Sequence, residues 1–575
     1  MRLVPRHGAI ALPGGEVQFS LWAPGQQEVS VAFEDGDTLP MERSPDGWFT
    51  ATARNAVGKS YRFQLPDGTR VPDPASRRQT GGVHGASVVV DHASYQWRDG
   101  NWRGLPWRES IIYEVHAGAL GGFRGLIDRL ANLVSLGVTA LELMPVNEFP
   151  GAHNWGYDGV LPYAPAEAYG SPDDLKSLVD AAHAHGLMVY LDVVYNHFGP
   201  DGNYLGLYAP QFFRTDIHTP WGAAIDFRQP AVRSFFTENV LMWLRDYHID
   251  GLRFDAVHAI TEQDWVDEMA AAVRAEFPPE RPIHLMLEHH NQSGPLSRNV
   301  DAQWNDDLHN VMHVLLTGET EGYYADYAEN TTEKLARCLK EGWVYQGEYS
   351  AFLKGPRGTS AAGLPPTAHI FFLQNHDQIG NRALGERLTL LADPATLEAA
   401  IALQLLSPQI PLLFMGEEEA SRTAFLFFTD HNPELAEAVR NGRRAEFAGF
   451  AQFASPEGRE KIPDPNSKET FKASIPKPDP AQGAARLALY RRLLTIRKTR
   501  IAPHLDGARS IGSEVLGPKA VVARWRLGNG SVLTIGCNLG ENDVTWQKPS
   551  GELLFSSADA TSTSIPPRFT AAYLG

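Results

Sequence analysis

The strongest constraint on the fold is an alternation of apolar runs and amphipathic stretches between residues 110 and 415. Stretches such as 123–136 and 172–185 have helical length, and they supply the crossovers that parallel strands need. The apolar runs predict eight buried strands, at residues 110–115, 138–143, 187–193, 251–255, 283–288, 302–305, 369–373 and 410–415. Eight strands over roughly 300 residues predict an α/β fold, a (β/α)8 TIM barrel with insertions.

The chain also extends beyond the barrel pattern on both sides. At 575 residues it is too long for one hydrophobic core. Short β-branched runs between Pro-Gly and Asp-Gly turns predict an N-terminal, immunoglobulin-like β-sandwich, at residues 17–22, 29–33 and 61–65. We favour a packing role for its aromatic residues Trp22 and Trp48.

Past the barrel, the charged and proline-containing segment 434–479 predicts an irregular insertion, and 485–500 predicts an amphipathic helix. Alternating segments from residue 516 onward predict a small C-terminal β domain. We therefore expect three domains, at residues 1–95, 96–500 and 501–575.

Composition excludes several classes of protein. A net charge of −17 argues against nucleic acid or a membrane surface as the main partner. We find no signal peptide and no apolar segment long enough to span a membrane. The two cysteines, Cys338 and Cys537, are too few for a disulfide framework or a zinc site, which fits a cytoplasmic protein. We expect a monomer without a cofactor or a bound metal.

Polar clusters follow four of the predicted strands, at residues 192–197, 255–258, 288 and 375–377. Each cluster alone is weak evidence, since strand ends are often solvated. The C-terminal ends of barrel strands meet at one face, however, and active sites of such barrels lie there. The four clusters together therefore predict one active site.

Arg253 and Asp255 occupy alternate positions of the fourth strand and so share one of its faces. We expect the cation to lower the pKa of the Asp255 carboxyl group, which suits a nucleophile or an electrostatic stabiliser. An isolated Arg-x-Asp pair is more often an ion pair without chemistry, so the assignment depends on the other clusters.

Those clusters resemble the four motifs of the α-amylase family of glycoside hydrolases and transglycosylases, in order and spacing. The matching segments are residues 192–197, 251–255, 287–288 and 375–377. Further segments resemble members that release trehalose from the end of a maltooligosaccharide, at residues 155–159, 196–200, 219–222, 255–260, 303–307 and 373–382. The chain departs from that pattern in its short loop at 116–123 and in His289 and His290.

The resemblance implies a role for each matching residue. Asp255 would be the nucleophile, Glu288 the acid/base and Asp377 a third carboxylate that holds the hydroxyl groups of the reacting sugar. Around that sugar the implied binding residues are Tyr157, which would stack on the ring, His197, Arg253, His376 and Gln378. For the leaving-group side we select Trp221, His258, Trp304 and Asp306, because aromatic faces stack on sugars and placed polar groups orient them.

We therefore expect a retaining glycoside hydrolase, with the carboxyl groups of Asp255 and Glu288 about 5–5.5 Å apart. The expected substrate is maltooligosyltrehalose or another α-glucan, cleaved at the α-1,4 linkage next to a trehalose end. For the two Trp residues on the leaving-group side, simple loop packing is about equally compatible with the sequence.

Three alternatives remain open at this point. A glycogen branching or debranching enzyme would share the sandwich, barrel and motifs. A catalytically inactive, glucan-binding member of the fold would lack at least one of the three carboxylates, and all three are present. A metal hydrolase needs clustered ligands, whereas His289 and His290 are adjacent in sequence. Calcium near Asn196 is implied by related amylases, but no acidic cluster completes such a site.

Overall fold

The computed structural model describes residues 6–219, 222–290, 299–558 and 563–575. Its centre is a closed barrel of eight parallel strands, each paired with the next in chain order. We number them β1 to β8: Ile112–Val115, Ala140–Leu143, Met188–Val193, Gly251–Phe254, His284–Leu287, Ala302–Trp304, His369–Phe371 and Ile410–Phe414. The predicted TIM barrel and its eight strands are confirmed.

The longer helices around the barrel are Gly122–Ile127, Leu130–Leu136, Pro172–Ala184, Pro230–Asp246, Asp264–Glu276, Asp306–Thr317, Thr331–Glu341, Pro394–Leu406 and Gly483–Ile496. The helix before β3 begins with a capping box. Ser171 accepts from the Asp174 amide, the Asp174 carboxylate accepts from Ser171, and Pro172 takes the first helical position. The helix predicted at 123–136 is divided into two helices.

The prediction of an irregular insertion at 434–479 is wrong. That region contains three helices, Pro433–Glu446, Pro456–Glu460 and Lys468–Ala473. Pro433, directly before this segment, and Pro456, within it, stand at the first helical position, after the capping side chains of Asn432 and Ser455. Proline is favoured there because its missing N–H would have no partner in the helix. These prolines therefore begin helices.

The N-terminal region forms two antiparallel sheets. One contains Gly8–Ala11, Glu16–Trp22, Trp48–Arg54 and Glu42–Arg43; the other contains Thr38–Pro40, Ser30–Phe33, Ser60–Gln64, Arg70–Val71, Ala86–Val88 and Gln79–Thr80. Phe19 of the first sheet packs edge-on against Phe33 and Tyr61 of the second, with ring centroids 5.7 and 5.0 Å apart. Trp22 and Trp48 are buried, which agrees with their predicted packing role.

The C-terminal region is an antiparallel sheet of five strands, in the order Arg509–Gly517, Ala520–Arg526, Val532–Asn538, Phe569–Leu574 and Glu552–Ser556. A two-stranded sheet, Val544–Thr545 with Ser564–Ile565, lies beside it. The predicted C-terminal β region is confirmed. No helix within the described ranges has both the length and the apolarity needed to cross a membrane.

A buried cluster fixes the segment before β1 to the N-terminal end of the barrel. His183 lies between two carboxylates, 2.8 Å from Asp99 and 2.9 Å from Asp250. Trp102 donates its indole N–H to Asp250 at 2.8 Å and stacks on the imidazole of His183. Burial lowers the pKa of His183, but the Asp250 and Asp99 carboxylates outweigh it, so the pKa is raised.

Candidate active site

Arg253 lies at the centre of the site, on β4, and connects three carboxylates. Its Nη1 donates to both oxygens of Asp192, at 2.9 and 2.8 Å, and to Oδ1 of Asp255 at 2.8 Å. Its Nη2 donates to Oε2 of Glu288 at 2.8 Å. The arginine side chain is 1% exposed, whereas Asp255 and Glu288 are 13% and 18% exposed. The two carboxylates thus reach the cleft while the cation stays below them.

Arg253 lowers the pKa of Asp255 as expected, but the net shift of this pKa is upward, so the expected direction of the overall shift is wrong. Burial and the charges of Glu288 and Asp192, against the opposing effect of Arg253, raise this pKa to about 8. One cation shared by three buried carboxylates does not compensate for their desolvation. Burial also raises the pKa of Glu288, but Arg253 and the Ala256 amide outweigh it and lower the pKa. Of the two carboxyl groups, Asp255 therefore holds a proton more readily than Glu288.

The turn after β4 holds the ends of β4 and β5 together through hydrogen bonds. Ala256 adopts a left-handed conformation, with φ 40°. Its amide donates to Oε2 of Glu288 at 2.9 Å, and the amide of Val257 donates to the Glu288 carbonyl at 3.1 Å. Asn196, after β3, donates from Nδ2 to Oδ2 of Asp255 at 3.1 Å. Both carboxyl groups are therefore oriented by backbone and amide donors from neighbouring strands.

The third carboxylate follows β7. The Asn375 side chain accepts from the amides of Asp377 and Gln378, at 2.9 and 3.2 Å, and so begins the short helix His376–Gly380. Asn381 donates to Oδ1 of Asp377 at 2.6 Å. Burial raises the pKa of Asp377. The side chains of Asp377 and Gln378 are partly exposed, as a group that contacts substrate must be.

Tyr157 connects the third-strand and seventh-strand clusters. Its hydroxyl donates to Oδ2 of Asp192 at 2.7 Å and lies 2.9 Å from Nε2 of His376. Its ring stacks on His376, with centroids 5.2 Å apart. Its carbonyl lies 3.0 Å from Nε2 of His197, whose pKa burial lowers to about 4. Tyr157, His197 and His376 are thus brought together, next to the carboxylates.

The residues predicted for the leaving-group side occupy different environments. The ring of His258 lies 3.7 Å from that of His290, centroid to centroid, and burial lowers the pKa of His258 to about 3. Asp306 begins the helix after β6, and burial, followed by the charge of Glu288, raises its pKa to about 7. Trp304 is 2% exposed and packs under Arg253, 4.3 Å from the guanidinium carbon. Trp221 lies outside the described residues.

Two residues of the site were not singled out from the sequence. Glu114, on β1, binds the imidazole of His376 and is 1% exposed. A lone carboxylate within the apolar run 110–115 was the available signal. Tyr323 is 38% exposed, and its pKa is raised to about 12 by burial and by nearby charges that include Asp377 and Asp306. Its place in a long connection between strands gave no signal, because sequence alone does not position such a loop.

No group of three or more His, Cys, Asp or Glu side chains in the described part of the chain has the geometry to hold a metal ion. The resemblance to amylases suggested calcium near Asn196. The side chain of Asn196 forms hydrogen bonds with Asp255 and His197. The chemistry that this arrangement supports is acid/base and nucleophilic catalysis by carboxyl groups.

Comparisons with known proteins identify similar sequences and structures. Residues 75–206 match the alpha amylase catalytic domain, and 508–572 match a domain of unknown function, DUF3459. A malto-oligosyltrehalose trehalohydrolase from Deinococcus radiodurans is 42% identical, over 86% of this chain and 83% of that protein. Its counterpart from Saccharolobus solfataricus is 41% identical, over 75% and 78%. A crystal structure of a Salmonella typhimurium protein described as an alpha amylase is 42% identical, covers 100% of both chains and has a TM-score of 0.94.

A closed (β/α)8 barrel with carboxylates after β4, β5 and β7 defines a glycoside hydrolase of the α-amylase family. The match to the curated relatives extends over most of the chain and most of each relative. The chain belongs to the family of malto-oligosyltrehalose trehalohydrolases.

Proposed function

We propose that the chain hydrolyses the α-1,4 linkage next to the trehalose end of maltooligosyltrehalose, releasing trehalose and a maltooligosaccharide. The observation that carries the chemistry is that Asp255 and Glu288 bind the two terminal nitrogens of one guanidinium, that of Arg253. The observation that favours this substrate over branching or debranching is the extended similarity to trehalohydrolases. The residue roles that follow are part of the proposal.

In the first step Glu288 gives its proton to the glycosidic oxygen while Asp255 attacks the anomeric carbon. The C–O bond to trehalose breaks, and a covalent glycosyl–Asp255 ester forms. Burial, opposed by Arg253, raises the pKa of Asp255 to about 8, which favours a proton on Asp255 before the reaction begins. Positive charge that develops on the sugar beside Asp255 favours its ionised form, so the proton passes to Glu288 as the transition state is approached.

In the second step water replaces trehalose. Glu288, now ionised, takes a proton from the water, whose oxygen attacks the anomeric carbon and releases Asp255. Two inversions at the same carbon restore its configuration. Arg253 contacts both carboxylates, so in each step it would offset part of their mutual repulsion.

The reacting sugar would lie over Tyr157 and between the clusters after β3 and β7. Asp377 would bind its hydroxyl groups, and Tyr157 would present its ring beside them. His376, whose two ring nitrogens contact Glu114 and Tyr157, would act on the sugar through Tyr157. Hydrogen bonds of this kind strengthen as the ring flattens toward an oxocarbenium ion, which contributes several kcal/mol to catalysis in this class of reaction.

The trehalose unit would lie on the side of Glu288 that faces His258 and Asp306. The charge of Glu288 affects the pKa of both residues, which supports a position near the proposed proton donor. Neutral imidazoles and a carboxyl group can each donate and accept hydrogen bonds to sugar hydroxyls. Trp304 would act through Arg253, whose guanidinium covers its ring.

The test is parallel incubation with maltopentaose and with maltotriosyl-trehalose, which share a glucan chain and differ at the reducing end. We expect rapid release of trehalose from the second substrate and slow cleavage of the first. Equal turnover of both substrates would contradict the specificity. Transfer of the glucan to another sugar, with little hydrolysis, would favour a branching enzyme.

We further propose that the protein acts as a monomer in the cytoplasm. Both cysteines, Cys338 and Cys537, are buried and free, which agrees with a reducing compartment. Light scattering coupled to size-exclusion chromatography should give the monomer mass of 63.4 kDa. A stable dimer would contradict the first part of this proposal.

A further inference from the structure

A buried carboxylate on β1 controls the histidine after β7. Glu114 is 1% exposed and accepts the backbone N–H of His376 through Oε2 at 3.1 Å. Its Oε1 forms a hydrogen bond with Nδ1 of the same histidine. Because one carboxylate binds both the main chain and the ring of His376, it fixes the position and the tilt of the imidazole.

The hydrogen bonds around His376 indicate which of its ring nitrogens carry hydrogen. Both oxygens of Asp192 accept from Arg253, and Oδ2 also accepts the single hydroxyl proton of Tyr157. The hydroxyl oxygen of Tyr157 must then accept from Nε2 of His376, which lies 2.9 Å away. With Nδ1 donating to Glu114, both ring nitrogens would carry hydrogen, which is the imidazolium form of the ring.

We propose that Glu114 is a positioning residue, which holds His376 as an imidazolium and thereby connects the sugar-binding end of β7, through Tyr157 and Asp192, to Arg253. Charges alternate along this chain of contacts, from Glu114 to His376, Asp192 and Arg253. The chain ends at Arg253, which orients Asp255 and Glu288. The inference rests on the proposed glycoside hydrolysis for its catalytic consequence, whereas the protonation itself is independent of substrate.

Several charged groups from other elements face His376. Burial lowers its pKa and Glu114 and Asp377 raise it, so that the pKa is raised overall against the opposing effect of Arg253. From further elements, its charge affects the pKa of His116, Asp192 and Glu288. The rings of Trp155 and Trp304 close the remaining sides, 5.5 and 6.1 Å from the imidazole. Glu114 is the acidic group in direct contact with the ring.

A second glutamate in the same layer of the barrel provides a matched control. Glu142 on β2 pairs in register with Glu114 and is also 1% exposed. Neither of its oxygens has a hydrogen-bond partner in the described part of the chain. Burial raises its pKa well above the ordinary value, which favours the neutral form of this side chain. Exchange of Glu142 for glutamine therefore keeps the shape of the barrel interior and removes no group that contacts His376.

The experiment compares E114Q with E142Q by the pH dependence of kcat/KM on maltotriosyl-trehalose. Without the Glu114 charge the imidazolium loses its proton more easily. The basic limb of the E114Q profile should therefore move to lower pH, by about 1 to 3 units. The E142Q profile should coincide with that of the wild type. E114D, which keeps a carboxylate, should move the limb back toward its original position.

Histidine ring-nitrogen NMR at pH 7 gives a readout that does not depend on activity. We expect His376, assigned with H376Q, to be doubly protonated in the wild type and singly protonated in E114Q. A neutral His376 in the wild type, or an E114Q profile with an unmoved basic limb, would overturn the inference. If the wild type failed to cleave maltotriosyl-trehalose but showed the doubly protonated ring, the proposed function would fail and the assignment of His376 would stand.

Discussion

Arg253 donates to Oε2 of Glu288 across 2.8 Å, on the same oxygen that accepts the Ala256 amide. Both fixed donors therefore occupy one oxygen of the acid/base candidate. A carboxylic acid that accepts two hydrogen bonds on one oxygen carries its proton on the other. In the proposed reaction, Oε1 is therefore the atom that delivers the proton to the leaving oxygen.

The first prediction concerns the nucleophile. Asp255→Asn keeps the shape of the side chain, and its amide oxygen can still accept a hydrogen bond from Asn196. An amide cannot form the glycosyl ester. We expect kcat on maltotriosyl-trehalose to fall by at least about 10³-fold, measured by trehalose release. The matched control is D264N, since Asp264 is 73% exposed and outside the cleft. A D255N enzyme with more than a small fraction of wild-type activity would exclude Asp255 as the nucleophile.

The second prediction concerns stereochemistry. Proton NMR of a fresh reaction should show the α-anomer of the released maltooligosaccharide first, with the β-anomer appearing only by mutarotation. A crystal structure with a bound glucan should place the carboxyl groups of Asp255 and Glu288 about 5–5.5 Å apart. Initial β-anomer, or a separation of roughly 6.5–9.5 Å, would indicate an inverting mechanism instead.

The third prediction concerns the shared cation. Arg253→Lys keeps one charge but loses the planar fork that reaches Asp192, Asp255 and Glu288 together. Loss of buried partners should cost about 2–4 kcal/mol in the free energy of unfolding, measured in urea. Arg253 lowers the pKa of Asp255 and Glu288. Without its contacts to these carboxylates both pKa values should rise, so the acid limb of the pH profile of kcat/KM should move to higher pH. An unchanged acid limb would show that Arg253 does not control these ionisations.

The fourth prediction concerns the cluster at the base of the barrel. The pKa of His183 is higher in the folded protein than in the unfolded chain, where it is about 6.5. The stability gained from this difference is complete below about pH 6.5 and is lost as the pH rises through the pKa of the folded state. The lowered pKa of Asp250 gives stability that is lost as pH falls below about 3.9 toward its folded value. The cluster should therefore stabilise most between those limits.

H183Q removes the titrating group, so the difference in Tm between wild type and H183Q should shrink from pH 6 to pH 9. The control is H185Q, because His185 is exposed on the same helix end. A difference in Tm that stays constant over this range would mean that His183 is held neutral between Asp99 and Asp250.

The barrel could be predicted because its strands are buried on both faces, which leaves continuous apolar runs at regular intervals. The polar residues at strand ends were found for the same reason, since a charge directly after such a run is unusual. The insertion at 434–479 was misjudged because proline was taken as a sign of irregular structure, whereas Pro456 begins a helix, as does Pro433 directly before the segment.

The electrostatics of the site could not be predicted from spacing. Arg253 and Asp255 are near each other in sequence, but Asp192 and Glu288 reach the same guanidinium only through barrel closure. The pKa of Asp255 depends on that shared contact and on burial, neither of which is visible in a strand pattern. Glu114 was missed for the same reason, because its partner His376 lies 262 residues away.

The guanidinium of Arg253 contacts carboxylates at the ends of three strands, and this shared contact limits which substitutions the site can accept. A substitution at Asp192, Asp255 or Glu288 alters the partners left to Arg253, so its effect depends on which residues occupy the other two positions. Directed evolution of this site by single exchanges should meet mostly inactive variants. Libraries that randomise the ends of β3, β4 and β5 together are the ones able to reach a new arrangement of charges.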